Sequence, residues 1–565
     1  MSTHARPLAD RLAAASDAQL EELLRRRGVR PDVDWDDFFD AAEALLEPAS
    51  IERGLKALTR DEARRLHDIV DGRQQGDLRA AEAGTPEDLA LIDAQGRAPV
   101  PVAAQVHDMP AVPDAPQAAV PRASDAVSAR AAERAFTTVG GLADLLLATR
   151  SAPLTLVATG TLSASERRRF GEDDDLDQLR VLAELAGLAR PVDRRLRVTT
   201  AVDDWLAASF APRWAHLAAA FRDALPAGIR VGDGWAPVVA WPHAHPWDPT
   251  WPARAAQLAD LARRLGLLAE DGSEPEWAAA LRTGSEIDTT PLEALLPTEV
   301  DRLFLQNDLT AIAPGPLQPA LDNRLRAMTE HESAAQASSY RFTADSIARA
   351  LVEGETEQSI LQFLREVSLT GLPQALQYLV AQTAARHDLV RVGPDATGGT
   401  IVSSTDAHLL EAIEVDRNLR PMGLVREGEH LTSRVGAQTV AWALTDARYP
   451  ATLVDRDGSA VAATPAHPAP GGAEEPPSYA PLLARLRSHQ GPDADAAWLD
   501  RELEAAVRAR AVVLVEVAMP DGSRRELTLE ASGVGGGRLR GRDRTADVER
   551  TLPVHSIRSV RVLES

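Results

Sequence analysis

The chain has 565 residues, which is enough for about three to five domains of roughly 100–200 residues each. Hydrophobic residues make up 44% and charged residues 26%, as in globular proteins, and the absence of cysteine excludes disulfides, thiolate metal sites and cysteine nucleophiles. The formal net charge of −23 excludes attraction to DNA by the overall field, so any phosphate contact must come from a local group of cations.

The cations of this chain are almost all arginine, because Lys56 is the only lysine. Arginine binds phosphates and base edges through two parallel hydrogen bonds, but a GC-rich genome also encodes arginine in place of lysine, and we favour that second explanation. No apolar run approaches the roughly 20 residues that span a bilayer, and the N-terminus lacks an apolar signal-peptide core. The sequence therefore predicts a cytoplasmic protein without membrane contact, a location that is compatible with nucleoid association.

Residues 1–92 are predicted to form an N-terminal helical domain. Leucines recur at near-helical spacing from Leu8 onward, and Ser16 followed three residues later by Gln19 forms a capping box. Residues 93–130 are rich in proline and alanine without periodicity, which predicts a flexible or partly extended linker.

Residues 131–210 predict a winged-helix-like domain. A helix over Gly141–Arg150 leads to a short strand, Leu154–Ala158, a second helix is capped by Ser163, and a third covers about Leu176–Leu188. The segment RPVDRRLRV then alternates like a β-hairpin. Helix, strand, helix, helix, hairpin is the order of a winged helix, a variant of the helix-turn-helix.

The winged-helix-like domain has two open interpretations. Its hairpin, which we call the wing, carries four candidate phosphate contacts: Arg190, Arg194, Arg195 and Arg197. The start of the third helix, which reads bases in typical docking, is acidic over residues 172–175 and would repel phosphate. We therefore expect either a DNA contact made by the wing alone or a protein–protein module.

Residues 211–296 are predicted to be helical and rich in tryptophan, and their pattern is compatible with a second, degenerate winged helix. The segment WPHAHPWDPTW contains His243 and His245, which could ligate a metal. No third ligand is obvious nearby, so the sequence favours a loop packed by tryptophan and proline.

Residues 297–393 carry three motifs in a fixed order. The first motif is a hydrophobic-Gln-x-Asp-hydrophobic segment in FLQNDLTAIAPGPL. The second is an aromatic strand that ends in threonine, in ASSYRFTADSIARAL, and the third is a Pro-Gln entry to a helix, in LPQALQYLVAQTAARH. The residues that carry these motifs are Leu305, Gln306, Asp308, Leu309, Tyr340, Phe342, Thr343, Pro373 and Gln374. The segment resembles the N-terminal domain of XPB-type helicases, and especially the bacterial helicase-associated version of that domain.

The resemblance implies a domain that engages DNA or partners beside an ATP-driven motor and is not itself the motor. The expected partners are therefore DNA and an XPB-type helicase or the transcription machinery. Gln306 and Asp308 also have a structural interpretation, in which they turn and cap a strand. Arg341, Arg386 and Arg391 are candidate phosphate contacts, although a solvated face is the favoured interpretation.

The last third of the chain predicts two small modules. Residues 394–460 follow the strand, helix, strand, strand, helix, strand order of a ferredoxin-like module, and 461–479 predict a second linker. Residues 480–565 predict a helix and a small β-barrel with a hairpin at Asp521-Gly522, and their closing IRSV strand (557–560) resembles WYL-type domains. This most basic region is a candidate nucleic-acid surface, with Arg524, Arg525, Arg538, Arg540, Arg542 and Arg544.

The sequence contains no recognisable motif for motor chemistry or hydrolysis. A P-loop needs a lysine after a glycine-rich loop, and Lys56 lies in ERGLKALTR instead. Asp61–Arg64 (DEAR) opens a helix after Thr59 rather than following an apolar strand, and Gly533–Gly537 precedes no helix, so neither suits a nucleotide. We therefore expect no catalysis, no cofactor and no metal.

The predicted fold class is mainly α with α+β modules, in several domains: winged-helix-like, helicase-associated, ferredoxin-like and small β-barrel. We predict a non-catalytic, DNA-associated accessory protein for DNA repair or transcription that works with a separate helicase. The alternatives are a protein–protein scaffold without DNA affinity and a WYL-like, ligand-sensing transcriptional regulator.

Overall fold

The computed structural model describes residues 5–73, 89–93, 96–114, 116, 119–170, 175–334, 338–352, 354–387, 389–395, 399–447, 449–456, 458, 478–490, 492–519 and 523–563. Buried apolar side chains in these ranges form five separate clusters, which we number as the first to fifth cores along the chain. The protein is therefore a multi-domain mixture of helices and small sheets. No helix in these ranges is both long and apolar enough to cross a membrane.

Helices form the first core. They are α1 (Ala5–Ala14), α2 (Asp17–Arg26), α3 (Phe38–Leu45), α4 (Pro48–Ala57), α5 (Arg60–Val70) and α6 (Val100–His107). The predicted capping box at the start of α2 is confirmed, because Ser16 accepts from the Gln19 amide and the Gln19 side chain accepts from the Ser16 amide. Thr59 and Glu62 form a second capping box, which begins α5.

Helix α6 lies where the sequence predicted a flexible linker, so that interpretation of residues 93–130 needs correction. Val102 and Val106, one helical turn apart, are buried in the first core beside α4 and α5. A helix of two turns is too short to show an apolar period in the sequence, and its stability comes from this tertiary burial.

Arg27 follows α2 and is fully buried, although it belongs to a run of three arginines. Its guanidinium donates to the carbonyls of Leu45 and Leu89 and to the Ser50 hydroxyl, at 2.5, 3.0 and 2.8 Å. Burial lowers the pKa of Arg27 to about 10, which leaves the side chain charged at neutral pH. One side chain thus ties three other segments of the first core to α2.

Replacing Arg27 with leucine should lower the free energy of unfolding by about 2–4 kcal/mol, because three buried acceptors lose their donor. Arg25→Leu is the matched control, since the exposed ion pairs of Arg25 with Glu21 and Glu22 contribute only about 0–1 kcal/mol. Urea denaturation followed by circular dichroism measures both variants. Equal losses would contradict the central position given to Arg27.

The second core takes side chains from Ala131 to Leu292, so it includes both 131–210 and 211–296. Its helices are α7 (Asp125–Ser151), α8 (Ala164–Arg169), α9 (Leu176–Leu185), α10 (Val202–Ala207), α11 (Phe210–Ala224), α12 (Trp251–Arg264), α13 (Glu276–Arg282) and α14 (Thr290–Glu293). Its strands are β1 (Leu154–Thr155), β2 (Ala189–Val192), β3 (Arg195–Val198), β4 (Arg230–Val231) and β5 (Gly234–Trp235).

The first half of the second core has the predicted order of helix, strand, helix, helix and hairpin, from α7 to β3. Its strands form one sheet in the order β1-β3-β2. Ser163 caps α8, as predicted, by accepting from the Glu166 amide. The second half has a different order, in which α11 and the two-residue strands β4 and β5 precede α12, so it does not repeat the first half.

The tryptophan-rich loop joins the second core to the first. Trp247 is buried among first-core side chains, and its Nε1 donates to the Pro110 carbonyl at 3.0 Å. His245 Nδ1 donates to the Leu58 carbonyl at 3.0 Å, and its ring packs edge-on against Trp251. Burial lowers the pKa of His245, which favours the neutral ring. The packing by tryptophan is thus confirmed, whereas Pro242 and Pro249 are exposed.

The third core consists of a small sheet and four helices. The strands are β6 (Phe304–Leu305), β7 (Thr310–Ile312), β8 (Glu330–Ala334) and β9 (Ser338–Arg341), and the helices are α15 (Pro319–Ala327), α16 (Ala344–Val352), α17 (Glu357–Val367) and α18 (Gln374–His387). The sheet order is β6-β7-β9-β8. Asp308 accepts from the amide and hydroxyl of Thr310, and the Gln306 amide donates to the Thr310 carbonyl, which confirms their structural interpretation as turn residues.

Arg326 of α15 holds the third core against the second. Its guanidinium contacts Asp144 of α7 and Asp322 of its own helix, and the Tyr340 hydroxyl donates to Asp322 at 2.6 Å. Burial alone would lower the pKa of Arg326, but the two carboxylates outweigh it and raise this pKa above its ordinary value. At the same junction Arg150 of α7 bonds across to α15.

Replacing Arg326 with alanine should weaken this junction by about 2–3 kcal/mol, because two neighbouring carboxylates then face each other without a cation. Hydrogen exchange followed by mass spectrometry should show faster exchange in α15 and in the second half of α7. Arg365→Ala, which removes an exposed cation from α17, is the control. Unchanged exchange in α15 would contradict the assignment of Arg326 as the joining residue.

The fourth core supports a five-stranded sheet. Its elements are β10 (Val390–Pro394), β11 (Thr400–Ser404), α19 (Ala407–Val415), β12 (Val425–Glu427), β13 (His430–Ser433), α20 (Ala437–Asp446) and β14 (Ala451–Leu453). From β11 to β14 these follow the predicted order of strand, helix, strand, strand, helix, strand. The sheet order is β12-β13-β11-β10-β14, so β10, which the sequence placed in the preceding domain, is inserted between β11 and β14.

The fifth core contains a meander of strands covered by a helix. The elements are α21 (Ala480–Ser488), α22 (Pro492–Ala509), β15 (Val512–Ala518), β16 (Arg524–Gly535), β17 (Arg538–Asp543), β18 (Val548–Pro553) and β19 (Ile557–Leu563). The sheet order is β18-β17-β16-β15-β19, and no described residue pairs β18 with β19. The predicted β-barrel is therefore wrong: the described residues of β18 and β19 do not pair to close the sheet, and α22 packs on it instead.

Helices α21 and α22 also complete the first core. Their side chains Leu482, Leu483, Leu486 and Trp498 are buried there, together with Tyr479. The Tyr479 hydroxyl donates to the Val29 carbonyl at 2.7 Å, and Trp498 Nε1 donates to Asp37 at 3.1 Å. The predicted linker before them lies outside the described residues over 461–477, as does the predicted hairpin turn at Asp521-Gly522.

Candidate nucleic-acid interface

The wing is a tight two-stranded hairpin formed by β2 and β3. Asp193 and Arg194 connect the strands with φ angles of 50° and 60°, the left-handed pair that a type I′ turn requires. The turn is anchored to β1, because the Leu156 amide donates to the Arg194 carbonyl at 2.9 Å. Leu196 and Val198 face the second core, so the alternate positions of the hairpin face outward.

The outward positions of the wing concentrate positive charge. Arg190 lies directly opposite Arg197 in the ladder, an arrangement that is unfavourable for two like charges. The Nε atoms of both side chains are buried and have no hydrogen-bond partner. Arg194 and Arg195 are exposed at the tip.

Acidic side chains do not neutralise the wing in the part of the chain that the structure describes. None of Arg190, Arg194, Arg195 and Arg197 takes part in an ion pair there. Arg180 of the adjoining helix α9 differs, since it pairs with Asp177 and with Glu184. The wing is thus a local cationic surface on a strongly acidic protein.

Helix α9 is the helix to which the winged-helix prediction assigned base reading, but its surface is covered. It packs against α7 and α11, and only Leu185 among its residues is exposed. Gln178 and Asp175 both contact Arg264 of α12. The acidic residues 172–174 lie outside the described residues. If this domain contacts DNA, the geometry therefore favours a contact made by the wing and not by α9.

The three candidates of the helicase-like segment lie on separate elements. Arg341 of β9 is half-buried, and its Nη1 lies 3.5 Å from the Asp308 carbonyl beside the turn. Arg386 is exposed in the last turn of α18, and Arg391 is exposed on β10. Arg341 therefore contacts the fold, and the side chains of Arg386 and Arg391 are exposed.

The six candidates near the C-terminus lie on β16, on β17 and in the turn that follows β17. In β17, Arg538, Arg540 and Arg542 alternate with buried residues, so all three face outward. Several of the six are paired with acids: Arg524 with Glu516 at 3.2 Å, Arg542 with Asp547 at 2.8 Å and Arg544 with Glu530 at 4.0 Å.

Arg538 and Arg540 are the outward arginines of β17 without an acidic neighbour. Arg540 lies opposite Gly533 and Thr551, and Arg538 lies opposite Gly535 and Pro553. Neither forms an ion pair within the described ranges, and the same holds for Arg525 at the far end of β16. Three of the six predicted arginines, Arg525, Arg538 and Arg540, thus remain as candidates for a basic surface.

Replacing Arg538 and Arg540 together with glutamine should weaken DNA binding about 3- to 10-fold and lower the salt slope by about 1–2, because two phosphate contacts are lost. Arg542→Gln with Arg544→Gln changes the net charge equally but removes cations that acids already neutralise. This control should bind nearly as the unchanged protein does. Fluorescence anisotropy at several salt concentrations separates the pairs, and equal effects would contradict the reduced surface.

The motifs considered for nucleotide chemistry have structural roles. Gly536 and Gly537, with φ of 58° and 69°, form the turn between β16 and β17. Lys56 pairs with Glu52 at 2.6 Å on α4. Among the described residues, no group of three or more His, Asp or Glu side chains could hold a metal ion.

The comparison with known families bears on the third and fourth cores. A family model described as "Helicase conserved C-terminal domain" matches residues 303–428, whereas no curated protein matches the chain. The match begins at the β6 strand and ends in the turn after β12. The chain therefore contains a helicase-related segment, which extends beyond the 297–393 predicted from the motifs and includes the hairpin of β10 and β11.

Proposed function

We propose that this protein is a non-catalytic accessory factor that contacts the DNA backbone through the wing and works with a separate helicase. The observation that carries the proposal is the set of four wing arginines, which have no acidic partner among the residues that the structure describes. In a chain with 84 acidic residues against 61 basic ones, cations left without a carboxylate are the positions suited to an external anion.

The chemistry of the wing favours phosphate over a protein carboxylate patch. Arginine donates in a planar fork that matches a phosphate, and a hairpin of this size follows a DNA backbone in winged-helix docking. An anion bridging the guanidinium groups of Arg190 and Arg197 would relieve their mutual repulsion. Because α9 is covered, we expect this contact to be independent of sequence.

The helicase-related segment supports the second half of the proposal. Arg326 joins this segment to the domain that carries the wing, so a helicase engaged by the segment would be held beside the wing-bound DNA. We propose an XPB-type helicase as that partner, with repair or transcription as the process. The absence of a P-loop in the sequence supports an accessory task, in which the motor belongs to the partner.

The wing is tested by a variant that keeps the turn intact. Arg194→Asn preserves a residue that tolerates positive φ, and Arg190, Arg195 and Arg197 are changed to glutamine. Binding to duplex, single-stranded and forked DNA is measured by fluorescence anisotropy without ATP over a range of salt. The affinity should fall about 10- to 100-fold, and the salt slope should fall by about 2–4, at roughly 0.9 per lost phosphate contact.

The control variant changes paired arginines of the same domain. Arg222 pairs with Asp223 and Arg263 pairs with Asp260, so Arg222→Gln with Arg263→Gln should leave binding nearly unchanged. A wing variant that binds as tightly and with the same slope would remove the wing from the mechanism. Losses in proportion to the number of cations removed, four in the wing variant and two in the control, would mean that only net charge matters.

A second candidate function is a protein scaffold without DNA affinity. It is favoured by the net charge and by the covered α9, which resembles the packing of an interaction module more than that of a reading helix. This function would be selected if the unchanged protein bound no DNA even at low salt but still co-purified with a helicase.

A further inference from the structure

Helix α18 contains no acidic residue, in a protein rich in them. Its sequence, QALQYLVAQTAARH, has neutral and basic side chains only. The acidic residue that precedes it in the chain, Glu366, belongs to α17 and accepts there from Gln362. The absence of carboxylates along fourteen residues makes α18 compatible with a polyanion over its whole length.

The two sides of α18 differ sharply. Leu376, Val380 and Thr383 are buried against the third core, where α18 packs on α16 and α17. The opposite side presents exposed residues at intervals of four: Gln374, Tyr378, Gln382 and Arg386. Tyr378 is 67% exposed, which is unusual for an aromatic side chain without an external partner. These four residues form a single ridge along the helix.

The side chains of this ridge have no partners within the described residues. No hydrogen bond or ion pair involves the side chain of Gln374, Tyr378, Gln382 or Arg386. A neighbouring glutamine on the same helix, Gln377, instead donates to the Leu372 carbonyl at 3.1 Å. The amides and the guanidinium of the ridge are therefore available to an external molecule.

The place of α18 in the fold matches that of a reading helix. It directly precedes the antiparallel hairpin of β10 and β11, just as α9 precedes the wing hairpin of β2 and β3. Helix α9 is covered by α7, α11 and α12, whereas the ridge of α18 is open. Of the two helices that precede a hairpin, α18 is therefore the one with an accessible surface.

We propose that α18 enters the major groove of duplex DNA and that Gln374, Gln382 and Arg386 contact base edges there. A helix of this length is about 21 Å long and fits the groove, which is about 12 Å wide. Glutamine pairs with the adenine edge and arginine with the guanine edge, each through two hydrogen bonds. Tyr378, between the two glutamines, supplies an apolar ring for a thymine methyl group. This inference rests on the proposed DNA association and adds base readout to it.

The test selects binding sites from duplexes with a random central segment and then measures anisotropy with the selected and a scrambled duplex. The unchanged protein should prefer a short selected sequence about 10- to 100-fold. In the variant Gln374→Ala with Gln382→Ala this preference should fall about 10-fold, with the remainder due to Arg386, while the salt slope stays the same because no charge changes. Alanine keeps the helix propensity, which protects the fold.

The matched control removes two exposed glutamines from α17, Gln358 and Gln362, by the same change to alanine, and it should retain the preference. Binding without any selected sequence would overturn base readout and leave the proposed DNA association standing. No binding at all would overturn the proposed function together with this inference. Loss of a co-purifying helicase in Tyr378→Ala, with DNA selection unchanged, would assign the ridge to a protein partner and overturn the inference.

Discussion

The pairing of arginine with carboxylate organises this protein at every level. With acidic residues in clear excess, several arginines on helix surfaces pair with a carboxylate within one turn, as Arg180 does with Glu184. Others are drawn inside, where Arg27 joins segments of the first core and Arg326 joins two cores. The cations that remain without an acid then stand out against this background. Among the described residues, the arginines of the wing and Arg525, Arg538 and Arg540 of β16 and β17 are identified in this way, since no acidic side chain pairs with them.

The cores are connected by more than one kind of link. A tryptophan-rich loop inserts Trp247 from the second unit into the first core, and Arg326 bridges the second and third cores. Helix α22 is shared, because Trp498 belongs to the first core and Leu503 to the fifth. The basic surfaces on different cores are therefore held in position by contacts that single substitutions can weaken. Such substitutions can test whether these surfaces bind one DNA together.

The local patterns of the sequence predicted much of the secondary structure. Caps such as Ser16 and Ser163, the order of elements around the wing and the motifs at Gln306 and Asp308 depend on residues close together in the chain, and all appear as expected. The outward arginines of the wing could also be found in this way. The absence of carboxylates in α18 is visible in its sequence. The exposure of its ridge depends on the surrounding fold and could not be predicted from the sequence.

What the sequence did not predict depends on distant contacts. The burial of Val102 and Val106 in α6, the open edge between β18 and β19, and the covering of α9 by α12 each require partners far along the chain. Composition was misleading for 93–130, because proline and alanine serve a short packed helix as readily as a linker. The sum of charges near the C-terminus was also misleading, since Asp547 and its acidic neighbours cancel half of it.

The closure of the first core by Tyr479 and Trp498 has a consequence for how the protein is made. The first helices leave the ribosome more than 400 residues before the side chains that complete their core, since the bond from Tyr479 to Val29 spans 450 positions. At a synthesis rate of about 5–20 residues per second, this interval lasts on the order of tens of seconds. During that time an apolar groove on the nascent chain stays uncovered. The first core is thus completed only after the side chains of α21 and α22 have been synthesised.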